Sequence, residues 1–70
     1  MNKEAIKMAW IDGLTEGTRE QMAARHRSLV ALHETLTRAN RYGEWAEAIH
    51  DCEDGLVTLL IAIVKRDMEV

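Results

Sequence analysis

Apolar residues recur through the last third of the chain at a helical step. Trp45, Ile49, Cys52, Leu56, Leu59 and Ile63 follow one another at intervals of four and three, which places them on one face of an α-helix. Within that stretch the run GLVTLLIAIV, Gly55 to Val64, is apolar at nearly every position, and Val57, Ile61 and Val64 fall off the main face. A helix that is apolar all round has to be covered all round. A buried β-strand competes, because Val, Ile and Thr fill five of the nine positions from Leu56 to Val64 and suit a strand. The unbroken spacing from Trp45 to Ile63 favours a helix over about 44–68. The run is too short for a membrane span, which needs about 20 apolar residues, and Glu53, Asp54, Lys65 and Arg66 bound it. Gly55 weakens such a helix by ~1 kcal/mol relative to Ala, and a glycine there permits close approach of a neighbour.

Two further helices are predicted upstream. Ala5, Ile6, Ala9 and Trp10 share a face over about 3–11, ahead of the turn signal Asp12-Gly13. A single bent helix running on through Gly13 and Gly17 is the alternative. Thr18 with Gln21 three residues later has the form of a capping box and predicts a helix from 18 to about 42, with Gly43 suited to the left-handed position that follows a helix. Its core positions centre on Leu29, Leu32 and Leu36, with His26 and His33 beside them. A connection of a few residues around Arg41-Tyr42-Gly43 predicts that the two long helices form an antiparallel hairpin. The expected fold is all-α, a short N-terminal helix plus this hairpin.

Length then changes the picture. Seventy residues make one small domain, expected over 1–70, and a chain of that size buries only about 60% of its unfolded surface. Small scaffolds compensate with disulfides, metals or oligomerisation. One cysteine allows no internal disulfide. Two helices and a short third do not cover the all-round apolar segment, so a homodimer resembling a four-helix bundle is expected, with Leu56, Val57, Leu60, Ile61 and Val64 at its interface. The start MNKEAIKMAW lacks the apolar core of a signal peptide, and with a lone cysteine this predicts a cytoplasmic protein.

The formal charge of −3 is unevenly spread. Residues 18–42 carry five arginines against Glu20 and Glu34, and residues 43–70 carry seven acids against Lys65 and Arg66. In a hairpin Arg38 and Arg41 are expected near Glu44 and Glu47. An acidic chain is a poor general ligand for nucleic acid, whose binding rests on phosphate neutralisation.

Candidate chemistry is sparse. Glu47 and His50 have the Glu-x-x-His spacing of carboxylate-bridged metal bundles, but both lie off the apolar face. Glu44, Glu47, Asp51 and Asp54 form an acidic stripe at the same four-three spacing, best read as a solvated face or a docking surface for a basic partner. Cys52 sits on the apolar face with no base to activate it. Of the three aromatics, Trp45 is in register with the core and Tyr42 brackets the turn. No catalytic residue, cofactor or metal site is expected. The sequence is read as a non-enzymatic, protein-binding regulator (an inhibitor, antitoxin-like protein or adaptor, as in accessory proteins of phages and mobile elements) that binds itself and an unidentified protein, with Glu44, Glu47, Asp51, Asp54 and Tyr42 as the docking residues. Two alternatives are a nucleic-acid-binding dimer presenting Arg19, Arg27, Arg38 and Arg41, and a metal-dependent bundle enzyme using Glu47 and His50.

Overall fold

A computed structural model describes residues 2–69; Met1 and Val70 lie outside the described residues. Those residues form three α-helices, α1 (Lys3–Leu14), α2 (Arg19–Ala39) and α3 (Ala46–Met68), and among them no strand occurs. No helix is long and apolar enough to cross a membrane.

The two N-termini that matter for α1 and α2 are set locally. Asn2 accepts the Ala5 N–H through its side chain at 2.8 Å and starts α1. At Thr18 the capping box is complete: the Thr18 hydroxyl accepts the Gln21 N–H, and the Gln21 carboxamide accepts the Thr18 N–H in return. Each arrangement satisfies helix-end donors that would otherwise lack partners. Just ahead of the box Gly17 is left-handed, at φ 93°, and a Cβ there would collide with the Gln21 carboxamide. The turn and the cap therefore depend on each other.

The helix bounds differ from the expected ones for identifiable reasons. α1 runs on through Asp12-Gly13 to Leu14, because Gly13 keeps helical backbone and the chain turns only at Gly17. α2 stops at Ala39, not near 42, and α3 begins at Ala46, not 44. Asn40 ends α2, and its side-chain oxygen accepts the Trp45 N–H at 3.0 Å across the connection. Gly43 is left-handed as expected, at φ 79°, but inside this six-residue connection and not directly after the helix.

α2 and α3 lie side by side. Arg19, the first residue of α2, meets Asp67 near the end of α3, while Asn40 and Trp45 join at the other end. Met22 and Leu29 from α2 and Cys52, Leu59 and Ile63 from α3 form the buried core, with Leu14 of α1 packed against it. The core lies one turn nearer the start of α2 than the sequence suggests. Met22 is buried and Leu36 half-buried, but Leu32 is exposed. Trp45 also departs from its register: it precedes the first turn of α3 and stands half-exposed. Its neighbour in the pattern, Ile49, is half-buried.

Gly55 is where all three helices converge. It is itself buried, and a Cβ added to it would lie 2.8 Å from Cη2 of Trp10, 2.9 Å from Cδ2 of Leu29 and 3.1 Å from Cδ1 of Leu14. Contacts below 3.0 Å force a shift, so Trp10 of α1 and Leu29 of α2 would both have to move, and Leu14 would have to give by a few tenths of an ångström. Any larger side chain overpacks the crossing. Gly55→Leu should lower stability by about 3 kcal/mol, toward the upper end of what overpacking costs. Gly13→Ala, where an added Cβ meets nothing within 4 Å, should raise it by up to ~1 kcal/mol through helix propensity. Urea melts of both variants beside the wild type check the two opposite signs.

Candidate functional site

The acidic stripe of α3 is occupied by α1. Lys3 reaches Glu47 at 3.3 Å, and Lys7 lies between Asp51 at 3.1 Å and Asp54 at 2.5 Å. Lys3 and Lys7 are one turn apart, and so are their partners, so two helices laid side by side match their charges rung by rung. The expectation that Arg38 and Arg41 would meet Glu44 and Glu47 is corrected by this geometry. Among the described residues neither arginine forms an ion pair. Glu44 instead accepts the Tyr42 N–H at 3.0 Å and shapes the connection. The signal is present in the sequence as two four-residue spacings, Lys3/Lys7 and Glu47/Asp51.

The arginines of α2 divide into two sets. Arg19 makes a two-pronged contact with Asp67, at 3.0 and 3.1 Å, the arrangement in which a guanidinium pairs most strongly. Arg25 donates to the Leu14 carbonyl at 2.8 Å and to the Glu16 carbonyl, and Arg66 donates to the Gly17 carbonyl at 3.2 Å. Arg25 thus meets the negative end of α1 at the Leu14 carbonyl, and both cations tie down the connection that follows it. Arg27, Arg38 and Arg41 make no ion pair among the described residues.

Nothing in this arrangement assembles a reactive centre. Among the described residues no three His, Cys, Asp or Glu side chains converge to hold a metal ion. Glu47 is engaged by Lys3, and His50 is exposed, 3.8 Å from the Asp54 carboxylate. Cys52 is a free, buried thiol, pushed up by burial and then by the nearby charges of Asp51 and Glu53. It therefore stays protonated and unreactive at neutral pH. The Nε2 of half-buried His33 has no hydrogen-bond partner.

Two surfaces remain. Between the helices an open groove of about 630 Å³ is lined by Ile6 and Trp10 of α1, Leu32 and Leu36 of α2, and Ala48 and Cys52 of α3, with the Lys7–Asp51 pair at its edge. The second surface is the side of α3 turned away from the core. Val57, Leu60, Ile61 and Val64 are 58%, 53%, 52% and 47% exposed there, whereas Leu59 on the opposite side is fully buried. Leu56 belongs partly to the inner side and packs against the core. Tyr42, at 89% exposed, projects from the connection beside Glu44. No family model matches the chain, and no match is found among curated proteins or solved structures.

The electrostatics of the α1 contact give a pH prediction. The hydrogen bond from Lys7 holds the Asp54 carboxyl below its ordinary 3.8. The hydrogen bonds to Asp54 and Asp51 raise Lys7 above its ordinary 10.5. A depressed carboxyl stabilises the fold above its ordinary value and stops doing so as pH falls through its folded one. A raised lysine stabilises it below 10.5 and stops doing so as pH rises through its folded value. The contact is thus at full strength at neutral pH. Lys7→Met should melt at a lower temperature than the wild type at pH 7. That gap should shrink in high salt and close on acidification below the Asp54 titration, as followed by circular dichroism at 222 nm.

Proposed function

We propose that this chain is a non-catalytic binding protein that works as a homodimer, in which α2 and α3 form an antiparallel hairpin and two hairpins assemble into a four-helix-bundle-like body. One observation carries the reading. The acidic stripe is largely occupied by lysines of α1, whereas the outer side of α3 leaves Val57, Leu60, Ile61 and Val64 about half-exposed. Apolar surface of that kind on a small helical chain is what a partner covers. The same four residues, with Leu56 at the edge, form the proposed dimer interface.

On this reading the dimer acts by stoichiometric engagement of a second protein, as an inhibitor, antitoxin-like regulator or adaptor. Tyr42 and Glu44 at the connection are the docking residues best supported, because Tyr42 is almost fully exposed and Glu44 fixes the backbone beneath it. Glu47 contributes through its exposed carboxylate. Asp51 and Asp54 act there only as part of their pair with Lys7. A nucleic-acid-binding role is the second reading, supported by the unpaired Arg27, Arg38 and Arg41. Glu34 lies within two turns of both Arg27 and Arg38 on α2 and weakens any phosphate-binding stripe.

Ile61→Asp separates assembly from folding. The side chain is already half-exposed in the single chain, so a carboxylate there leaves the three-helix fold intact but costs heavily if it is buried unpaired against a second copy. Sedimentation equilibrium should give a two-chain mass for the wild type and a one-chain mass for the variant, with helical circular dichroism retained in both. A wild type that sediments as a monomer at micromolar concentration would sink the homodimer. Salt-sensitive retention of RNA or DNA, abolished by Arg27→Glu with Arg38→Glu, would favour the second reading.

A further inference from the structure

The side of α2 turned away from α3 carries charges that nothing in the chain answers. Glu20, Arg27 and Glu34 lie seven residues apart. Seven residues fall about 20° short of two full turns, so the three stand on one line along the helix. Arg27, in its middle, is about 160° round from the buried Leu29 at 100° per residue. All three are exposed, and among the described residues none forms an ion pair. A second row, Ala23, Val30 and Thr37, runs beside the first, about 60° round the helix. It lies on the side away from Arg25, Ser28 and Leu32, which share a groove with α1. No long side chain stands along it, and Val30 and Thr37 are exposed.

The signs along the charged row alternate. That suits neither a polyanion, which needs cations alone, nor any partner of one charge. It suits the same row running the other way. A copy packed in parallel sets Arg27 beside Arg27 and Glu34 beside Glu34. A copy packed antiparallel, turned about a two-fold axis at Val30, brings Arg27 to within one residue, about 1.5 Å of rise, of Glu34 of the partner subunit. The symmetry makes the same pair a second time. A two-fold rotation of this kind keeps each row on its own edge of the contact, so the paired charges meet on one edge. Glu20 comes toward Arg41 of the partner subunit, just past the end of its α2, and Arg41 also makes no ion pair among the described residues. Antiparallel helix dipoles favour the same choice.

We infer that α2 is a second self-association surface, on which two copies pair antiparallel about Val30 and Arg27 meets Glu34 of the partner subunit twice. Val30 then faces Val30 of the partner subunit, and Ala23 comes level with Thr37 of the partner subunit. The contact is separate from the apolar strip on the outer side of α3 and does not depend on what covers that strip. Exposed ion pairs add little each, so pairing through α2 needs a higher concentration than the α3 contact and weakens in salt.

Ile61→Asp chains, whose α3 contact is disabled, isolate it. At submillimolar concentration and low salt, sedimentation equilibrium should give a two-chain mass that falls to one chain in high salt. Arg27→Glu and Glu34→Arg, each added to that background, should abolish the pairing, because each sets like charges together. The double reversal should restore it. Val30→Cys should cross-link with itself under mild oxidation, since positions facing each other across the axis fall within the Cα separation a disulfide tolerates, and Cys52 is buried. Circular dichroism of every variant should stay helical. Chains that remain single at all concentrations, single reversals without effect, or a double reversal that restores nothing would overturn the α2 contact. A wild type that is single at micromolar concentration and yet pairs in this charge-dependent way supports it while removing the α3 homodimer.

Discussion

The close approach at Gly55 is the constraint on which the structure depends. α3 carries most of the packing of both other helices, and side chains from both meet it at the one position where it has no side chain. The ring of Trp10 and the methyls of Leu14 and Leu29 fill the space a Cβ would take. The glycine costs α3 some intrinsic helix stability. In return it brings the α2 and α3 backbones close enough for Leu29, Cys52 and Leu59 to be buried in one core, and it admits α1, which buries no residue completely of its own. The ion pairs of Lys3 and Lys7 then fix the rotation of α1 on α3. They can do so only because the packing at Gly55 has already set the distance.

Much of this could be read from the chain. The capping box at Thr18, the left-handed preference of Gly43 and the four-three recurrence from Ile49 to Ile63 each correspond to a feature of the structure, because each depends on residues close together in sequence. The suggestion that Gly55 admits a neighbour also holds, with three named side chains in the space. What could not be read is what depends on the partner across the gap. Apolar spacing along α2 fits Leu32 as well as Met22, and only the position of α3 decides that Met22 is covered and Leu32 is not. The acidic stripe is visible in the sequence, but its partners are not. A hairpin involves only α2 and α3, whereas the lysines that meet the stripe come from α1, whose placement follows from Trp10 and Leu14. The early end of α2 is a similar case, since Asn40 reaches across to Trp45 and closes the connection before Gly43 is reached.

The division of labour on the surface bears on function. Several ionic groups that look available in the sequence are spent on internal positioning. Asp51, Asp54 and Glu47 hold α1, Asp67 holds Arg19, and Arg25 and Arg66 hold the connection between α1 and α2. Arg27, Arg38 and Arg41 stay unpaired among the described residues, and the apolar surface left uncovered is one-sided. For a chain of 70 residues, whose own core comprises a handful of side chains, covering that strip is a substantial addition to stability, at roughly 25 cal/mol per Å² removed from water. In the proposed homodimer assembly and folding are energetically linked, so that the outer side of α3 serves stability as well as recognition.

The concentration dependence of unfolding tests that linkage. Urea melts of the wild type over about a 100-fold range of protein concentration should show a midpoint that climbs steadily with concentration, as mass action requires when the folded state is a dimer and the unfolded state is not. A midpoint that stays fixed across the whole range would show that a single chain already holds all the stability there is, and would contradict the account.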